Sequence, residues 1–302
     1  MMIIYLDRVH TSSQTSMNHT IPTLDSRLVK SADGCMIYAE ATGIPQNPHV
    51  VLIHGMTFCG ALFDNICSLP QILEKLYIVR YDLRGHGRSG KPETAESHTS
   101  GLYADDFMAV TSEFDLQNPI LAGWSFGGQV AIDLAANISP LPIAGVFYIN
   151  STSIGSVSGR PIMREIMTLE ANVATSAQAL TLMRKVCFGA PGVPPLSFYE
   201  DCFMAGIQVM QPYDARRVAM RRYKNPVPYL TALKEGKVKV FVCYGAADQM
   251  LDGTILSKEM QETARYVDIK AIEGGSHVVF MQYPEIVANN LIAFVQGFTT
   301  HK

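Results

Sequence analysis

From residue 49 onward the chain carries short, mostly apolar, β-branched runs, His49-Val-Val-Leu-Ile-His54, Tyr77–Asp82, Pro119–Gly123, Ile143–Asn150 and Lys237–Tyr244, and a further strand is predicted over Tyr266–Ile272. A strand with one wet face alternates apolar and polar residues, whereas a strand buried on both faces reads continuously apolar. A further strand is predicted over Cys35–Ala41. Helical spacing places helices near Ala61–Lys75, Gly101–Phe114 and Phe126–Asn137, and later at Thr254–Ala264 and Pro284–Gln296. Strands and helices that alternate in this way predict a parallel sheet covered by helices on both faces.

The alternation stops after Asn150. Residues 151–159 are rich in Ser and Gly. From Pro161 to about Tyr223 the pattern is helical, broken by Gly189-Ala-Pro-Gly-Val-Pro-Pro195. Both ends of this block join the same sheet and it is too short for much core of its own, so it is expected to be an inserted cap. The expected division is a leader over 1–22, a first core part over 23–150, the cap over 151–226 and a second core part over 227–302. Residues 9–20 are polar and expected to be disordered. The cap holds Met163, Met167, Met183, Met204, Met210 and Met220. Most are expected to pack helix on helix, and some to form an adaptable apolar wall over a site.

Composition narrows the functional classes. The 302 residues are 48% hydrophobic with a formal net charge of −3. No basic stripe or tail is present, which argues against nucleic acid as a partner. The pairs Arg216-Arg217 and Arg221-Arg222 read as a solvated helix face. Met1-Met-Ile-Ile-Tyr-Leu6 is interrupted by Asp7 and Arg8, too short for a secretory signal, and no apolar run reaches membrane-spanning length. The six cysteines lack metal-type spacing and are expected to be reduced thiols in a cytoplasmic protein. There is no His-Glu-x-x-His sequence or His/Cys cluster, so no metal is expected. Gly85-His-Gly-Arg-Ser-Gly90 fits a dinucleotide fingerprint and Gly85 to Lys91 nearly fits a phosphate-binding loop, yet Pro92 offers no hydroxyl for Mg²⁺ and the polar residues after it form no amphipathic helix. No cofactor is expected. Asp82, Arg84 and His86 are instead expected to pin this loop by hydrogen bonds, and Asp105-Asp106 to place charge near a helix start.

The chemistry resides in Gly123-Trp-Ser-Phe-Gly-Gly128, set between a strand and a helix. This is the strand–turn–helix context of a Gly-x-Ser-x-Gly nucleophile elbow, in which the serine hydroxyl stands clear of both elements beside the helix N-terminus. Two later loops, Gly245-Ala-Ala-Asp248 and Glu273-Gly-Gly-Ser-His277, follow predicted strands at the carboxyl edge of the sheet. The order Ser, acid, His then assigns Ser125 as nucleophile, His277 as base and Asp248 as the residue that orients the imidazole. Asp252 is the rival acid; Gly245 favours Asp248 by turning the chain back over the sheet. Asn150 follows an earlier strand, and its amide supplies no charge. The backbone N–H groups of Phe126 and Met56 are the expected oxyanion donors. The side chains of Met56, Trp124 and Phe126 are expected to line the substrate pocket, with His54 bracing the loop.

The strand followed by His54-Gly55, Tyr81-Asp-Leu-Arg-Gly-His-Gly-Arg-Ser89, the serine elbow, Gly-Ala-Ala-Asp248 and Gly-Gly-Ser-His277 occur in an order and spacing that resemble the α/β-hydrolase superfamily. The likeness covers residues 27–298 and is greatest to its capped small esterases, acyl hydrolases and cofactor-free haloperoxidase or perhydrolase-like members. The resemblance implies a mostly parallel, eight-stranded α/β sheet, a cap after the sixth strand, and a triad of Ser125, Asp248 and His277. The expected activity is serine hydrolysis of an ester, lactone or thioester of a medium-sized apolar molecule, such as a specialised-metabolism intermediate, through an acyl-enzyme. Two alternatives keep the fold: a cofactor-free lyase or cyclase with His277 as base, and a ligand-binding receptor with a vestigial triad. Serine at 125 disfavours an aspartate-nucleophile route to epoxide opening or dehalogenation. The fold by itself names no substrate, because the cap builds the pocket.

Overall fold

The computed structural model describes residues 25–152, 154, 159–191 and 195–298; the expected leader over 1–22 lies outside the described residues. Eight strands form one sheet: β1 (Asp25–Lys30), β2 (Met36–Gly43), β3 (His49–Ile53), β4 (Tyr77–Tyr81), β5 (Ile120–Trp124), β6 (Gly145–Ile149), β7 (Lys239–Gly245) and β8 (Val267–Ile272). Their order across the sheet is β1-β2-β4-β3-β5-β6-β7-β8. β2 pairs antiparallel with both β1 and β4, and every pairing from β4 to β8 is parallel.

The continuous apolar runs follow from burial on both faces. Successive strand residues point to opposite sides, so Val50 and Leu52 enter one core while Val51 and Ile53 enter the other. The helices before and between the inner strands are α1 (Asp64–Cys67), α2 (Pro70–Lys75), α3 (Ser100–Glu113) and α4 (Val130–Asn137). Between β6 and β7 lie α5 (Pro161–Glu170), α6 (Ser176–Phe188), α7 (Phe198–Val209), α8 (Tyr213–Arg221) and α9 (Val227–Lys234). The chain finishes with α10 (Gly253–Thr263), α11 (Val279–Gln282) and α12 (Pro284–Gln296). Residues of α1, α2 and α12 fill the first core, and residues of α3, α4 and α9 fill the second.

Several local expectations are corrected. β1 escaped notice because it is an edge strand of which only Val29 is buried, so its pattern is mostly polar. The helix expected over Ala61–Lys75 is a 3₁₀ turn followed by two short helices. Pro70 occupies the first turn of α2, where a missing N–H costs nothing, but it cannot continue α1. Asp106 does not serve a helix start: it is fully buried and accepts two 2.7 Å hydrogen bonds from Arg84. Nor are the arginine pairs a solvated face. Arg216 is buried and donates to Glu170 at 2.6 Å, and Arg222 is buried and pairs with Asp133 at 2.7 Å. Spacing explains this: on a helix, neighbours in sequence point about 100° apart, so one arginine of each pair turns inward.

The six cysteines are unpaired. No helix among the described residues is long and apolar enough to cross a membrane, and no group of metal-ligating side chains occurs among them.

The Arg222–Asp133 pair ties the end of α8 to α4, with both side chains wholly excluded from solvent. Removing one member leaves the other charge buried and uncompensated. Asp133→Ala should therefore lower unfolding free energy by about 3–5 kcal/mol, read from urea denaturation. A loss below about 1 kcal/mol would show that the site rehydrates freely.

Candidate active site

Ser125 follows β5 directly and opens a 3₁₀ turn, Ser125–Gln129, that leads into α4. Its φ is +52°, in the left-handed region that residues bearing a Cβ rarely adopt. The turn is tight enough to forbid side chains around it. A Cβ on Gly123 would lie 2.4 Å from the Gly128 Cα, and one on Gly127 would lie 2.3 Å from the Ile53 carbonyl oxygen. The elbow thus packs the start of the helix onto β3 and β5 and leaves Ser125 half-buried at the carboxyl edge of the sheet.

His277 and Asp248 come from the loops after β8 and β7. Asp248 Oδ2 accepts a 2.8 Å hydrogen bond from His277 Nδ1. The same oxygen accepts from Asn150 Nδ2 at 2.7 Å, and Oδ1 accepts from the N–H groups of Met250 at 2.7 Å and Leu251 at 3.1 Å. Burial pushes the Asp248 pKa up, but the charge of His277 and the hydrogen bonds from His277, Leu251 and Asn150 outweigh it and hold the carboxyl below its ordinary range. An ionised carboxylate only accepts, so His277 Nδ1 carries a proton and donates a hydrogen bond to Asp248. The rival, Asp252, caps α10 through the Thr254 N–H at 3.1 Å.

Two backbone amides stand near the serine without partners. Phe126 N–H lies in the first turn of the 3₁₀ segment, which has no side-chain cap, and neither it nor Met56 N–H donates a hydrogen bond among the described residues. Met56 belongs to a turn closed by Phe58 N–H donating to the Gly55 carbonyl at 3.4 Å. His54 braces this turn. Its Nε2 accepts from Leu83 N–H at 2.9 Å, so its Nδ1 donates to the Gly55 carbonyl at 2.7 Å. The Gly85–Gly90 loop is pinned through Asp82, which accepts from Gly60 N–H at 2.8 Å and Arg88 N–H at 2.7 Å.

Ser125, His277, Met56, Trp124 and Phe126 line one cavity of about 110 Å³. Its remaining wall is largely thioether: Met163, Met167, Met183, Met220 and Met250 all face it. Met163 and Met167 share the helix face their spacing predicts, whereas Met204 packs in the core and Met210 is exposed. Met167 is 43% exposed yet lines the cavity, which places the mouth at α5. Ser125 Oγ makes no hydrogen bond among the described residues, the imidazole included; such contacts commonly tighten only around substrate.

Sequence reasoning missed two supports. Asn150, set aside for lack of charge, steadies Asp248 and also accepts the Gly245 N–H at 3.3 Å. Its φ of +41°, a conformation asparagine tolerates, turns the side chain toward the β7 loop. Trp124 does more than line the cavity: its Nε1–H donates to the His277 carbonyl at 2.9 Å, tying the elbow strand to the histidine loop. A polar, left-handed-prone residue at a strand end was the only available signal for Asn150.

Comparison with known proteins places the chain. A protein named "Probable oxidoreductase EphD" from Mycobacterium tuberculosis is 42% identical over 95 residues, which is 32% of this chain and only 16% of that protein's length. A non-heme chloroperoxidase of Streptomyces lividans is 24% identical over 284 residues, spanning 89% of this chain and 99% of its own. The crystal structure of an esterase from Rhodococcus superposes with a TM-score of 0.77 at 23% identity, covering 91% of this chain and 98% of that one. At that identity the likeness shows the fold alone. The alpha/beta hydrolase family model matches residues 50–290, which is most of the chain, and the protein belongs to that family.

Proposed function

We propose that the protein is a serine hydrolase that cleaves a carboxylic ester, lactone or thioester of an apolar small molecule. The observation that carries this reading is the convergence of Ser125, the two unpartnered amides and an Asp248-oriented His277 on one apolar cavity. Ser125 Oγ attacks the carbonyl carbon while His277 Nε2 takes its proton. The Met56 and Phe126 amides receive the charge that develops on the carbonyl oxygen. Collapse of the tetrahedral species expels the alcohol or thiol, which takes the proton from Nε2 and leaves Ser125 acylated. Water then repeats the sequence and frees the acid. Asp248 remains ionised throughout and stabilises the imidazolium.

Two unpartnered amides on residues of the same cavity as the serine favour acyl transfer over a lyase in which His277 acts alone. The thioether wall disfavours peracid formation, since methionines around Ser125 would be oxidised by the product. The methionine-lined helices α5 to α8 act as the cap in this reading. A dry cavity of roughly 150 Å³ holds a benzene molecule, so about 110 Å³ suits a short acyl group. The rest of a medium-sized substrate then extends past Met167 at the mouth. Methionine side chains rotate easily, which lets the wall adapt to different apolar shapes.

Ser125→Ala should lower ester kcat about 10⁴-fold or more and abolish fluorophosphonate labelling, whereas Asp248→Asn should lower kcat about 10⁴-fold with labelling slowed. Wild-type turnover in Ser125→Ala would sink the mechanism. Across p-nitrophenyl esters, kcat/KM should peak at acyl groups of about two to four carbons and fall about tenfold or more by octanoate. Met163→Ala should move that optimum to longer chains; an unchanged profile would place the acyl group elsewhere.

A further inference from the structure

Thr57 is fully buried, and its φ is +67°. It is the third residue of the turn from Gly55 to Phe58, where a positive φ, as in a type II turn, favours glycine. A β-branched residue has the least tolerance for this conformation. Something outside the turn must hold it.

That restraint comes from the inserted helices. Gln208 on α7 is wholly buried, and its Nε2 donates to Thr57 Oγ1 at 3.4 Å. Its Oε1 is fixed by Arg184 Nη1 on α6 at 2.7 Å, and Arg184 is itself held by Asp201 at 2.6 Å. Thr57 Oγ1–H in turn donates to Met183 Sδ at 3.5 Å. None of Gln208, Arg184 or Thr57 lines the cavity, so these residues do not touch substrate.

The geometry points to Gln208 as a positioning residue: from α7 it holds Thr57 left-handed and thereby keeps the neighbouring Met56 amide aimed at the site. This rests on the reading of Met56 N–H as an oxyanion donor. Relaxation of Thr57 to negative φ requires the Met56–Thr57 peptide to flip, and the turn closed between Gly55 and Phe58 must then readjust at the adjoining Gly55–Met56 peptide, which carries the amide. The oxyanion site is then complete only while α6 and α7 are seated, which couples the inserted helices to catalysis and not only to substrate entry.

The test is a double-mutant cycle on p-nitrophenyl butyrate, with kcat and KM measured for the wild type, Gln208→Met, Thr57→Gly and the double variant. Gln208→Met keeps the side-chain length and removes the donor. It should lower kcat by about tenfold, less than outright loss of an oxyanion donor, with little change in KM. In the Thr57→Gly background the same substitution should cost far less, because glycine takes positive φ unaided. An equal fold-loss in both backgrounds, or no loss of kcat from Gln208→Met, overturns the proposal. Thermal unfolding checks that each variant is folded; if Gln208→Met is not, Gln208→Asn, which keeps the amide but shortens its reach, replaces it in the cycle. Ser125→Ala run alongside separates the two readings. Turnover there near the wild-type rate refutes the serine-hydrolase assignment, while a Ser125→Ala variant slowed about 10⁴-fold beside a fully active Gln208→Met refutes only the role of Gln208.

Discussion

The arrangement depends on how closely the start of α4 approaches β3 and β5. With the Gly127 position already against the Ile53 carbonyl and the Gly123 position against Gly128, no side chain larger than hydrogen fits at either place. That proximity forces the sharp reversal at Ser125, and the reversal sets the residue at the sheet edge beside the Phe126 amide at the start of the turn. Everything else in the site is arranged around a position fixed by backbone contact. A loop could not fix it as well, because loops lack partners on both sides.

Strain is concentrated at this edge. Among the described residues, the non-glycine residues at positive φ are Thr57, Asp115, Asn118, Ser125 and Asn150. Asp115 and Asn118 lie in the connection between α3 and β5 and are residue types that accept the left-handed region. Thr57, Ser125 and Asn150 each follow the carboxyl end of a strand, and each belongs to the serine, the amide turn or the support of the acid. A left-handed threonine costs about 1–2 kcal/mol. Such conformations persist only where the surroundings over-determine them, and here the surroundings are hydrogen bonds from other elements.

The sequence showed much of this. Mostly apolar runs revealed a doubly covered sheet, and glycines flanking Ser125 marked the elbow, because in both cases a single residue type answers a single physical demand. What it did not show depends on pairing across long separations. Arg222 and Asp133 are 89 residues apart, and Gln208 and Thr57 are 151 apart; neither member of either pair carries a local pattern that names its partner. β1 was missed for a related reason: an edge strand with one buried residue has almost no periodicity to read. Trp124 was assigned to the pocket by its place beside the serine, yet its indole N–H serves a carbonyl that only the fold brings near.

Buried charges in the inserted helices fit the same logic. Replacing a buried ion pair by apolar residues often costs nothing in stability, so Arg216–Glu170 and Arg222–Asp133 are weak evidence for stability and stronger evidence for a fixed arrangement. A methionine-rich wall by itself would let these helices slide, because thioethers repack easily. Arg222 lies 4.4 Å from the centre of the Phe126 ring while pairing with Asp133, so the end of α8 is registered against the residue that follows Ser125. Gln208 registers α7 against the turn on the other side of the serine. The soft wall therefore sits in a frame with two fixed points, one beside each proposed oxyanion donor. Adaptability of the cavity wall and rigidity around the Met56 and Phe126 backbone are in this way assigned to different side chains of the same helices.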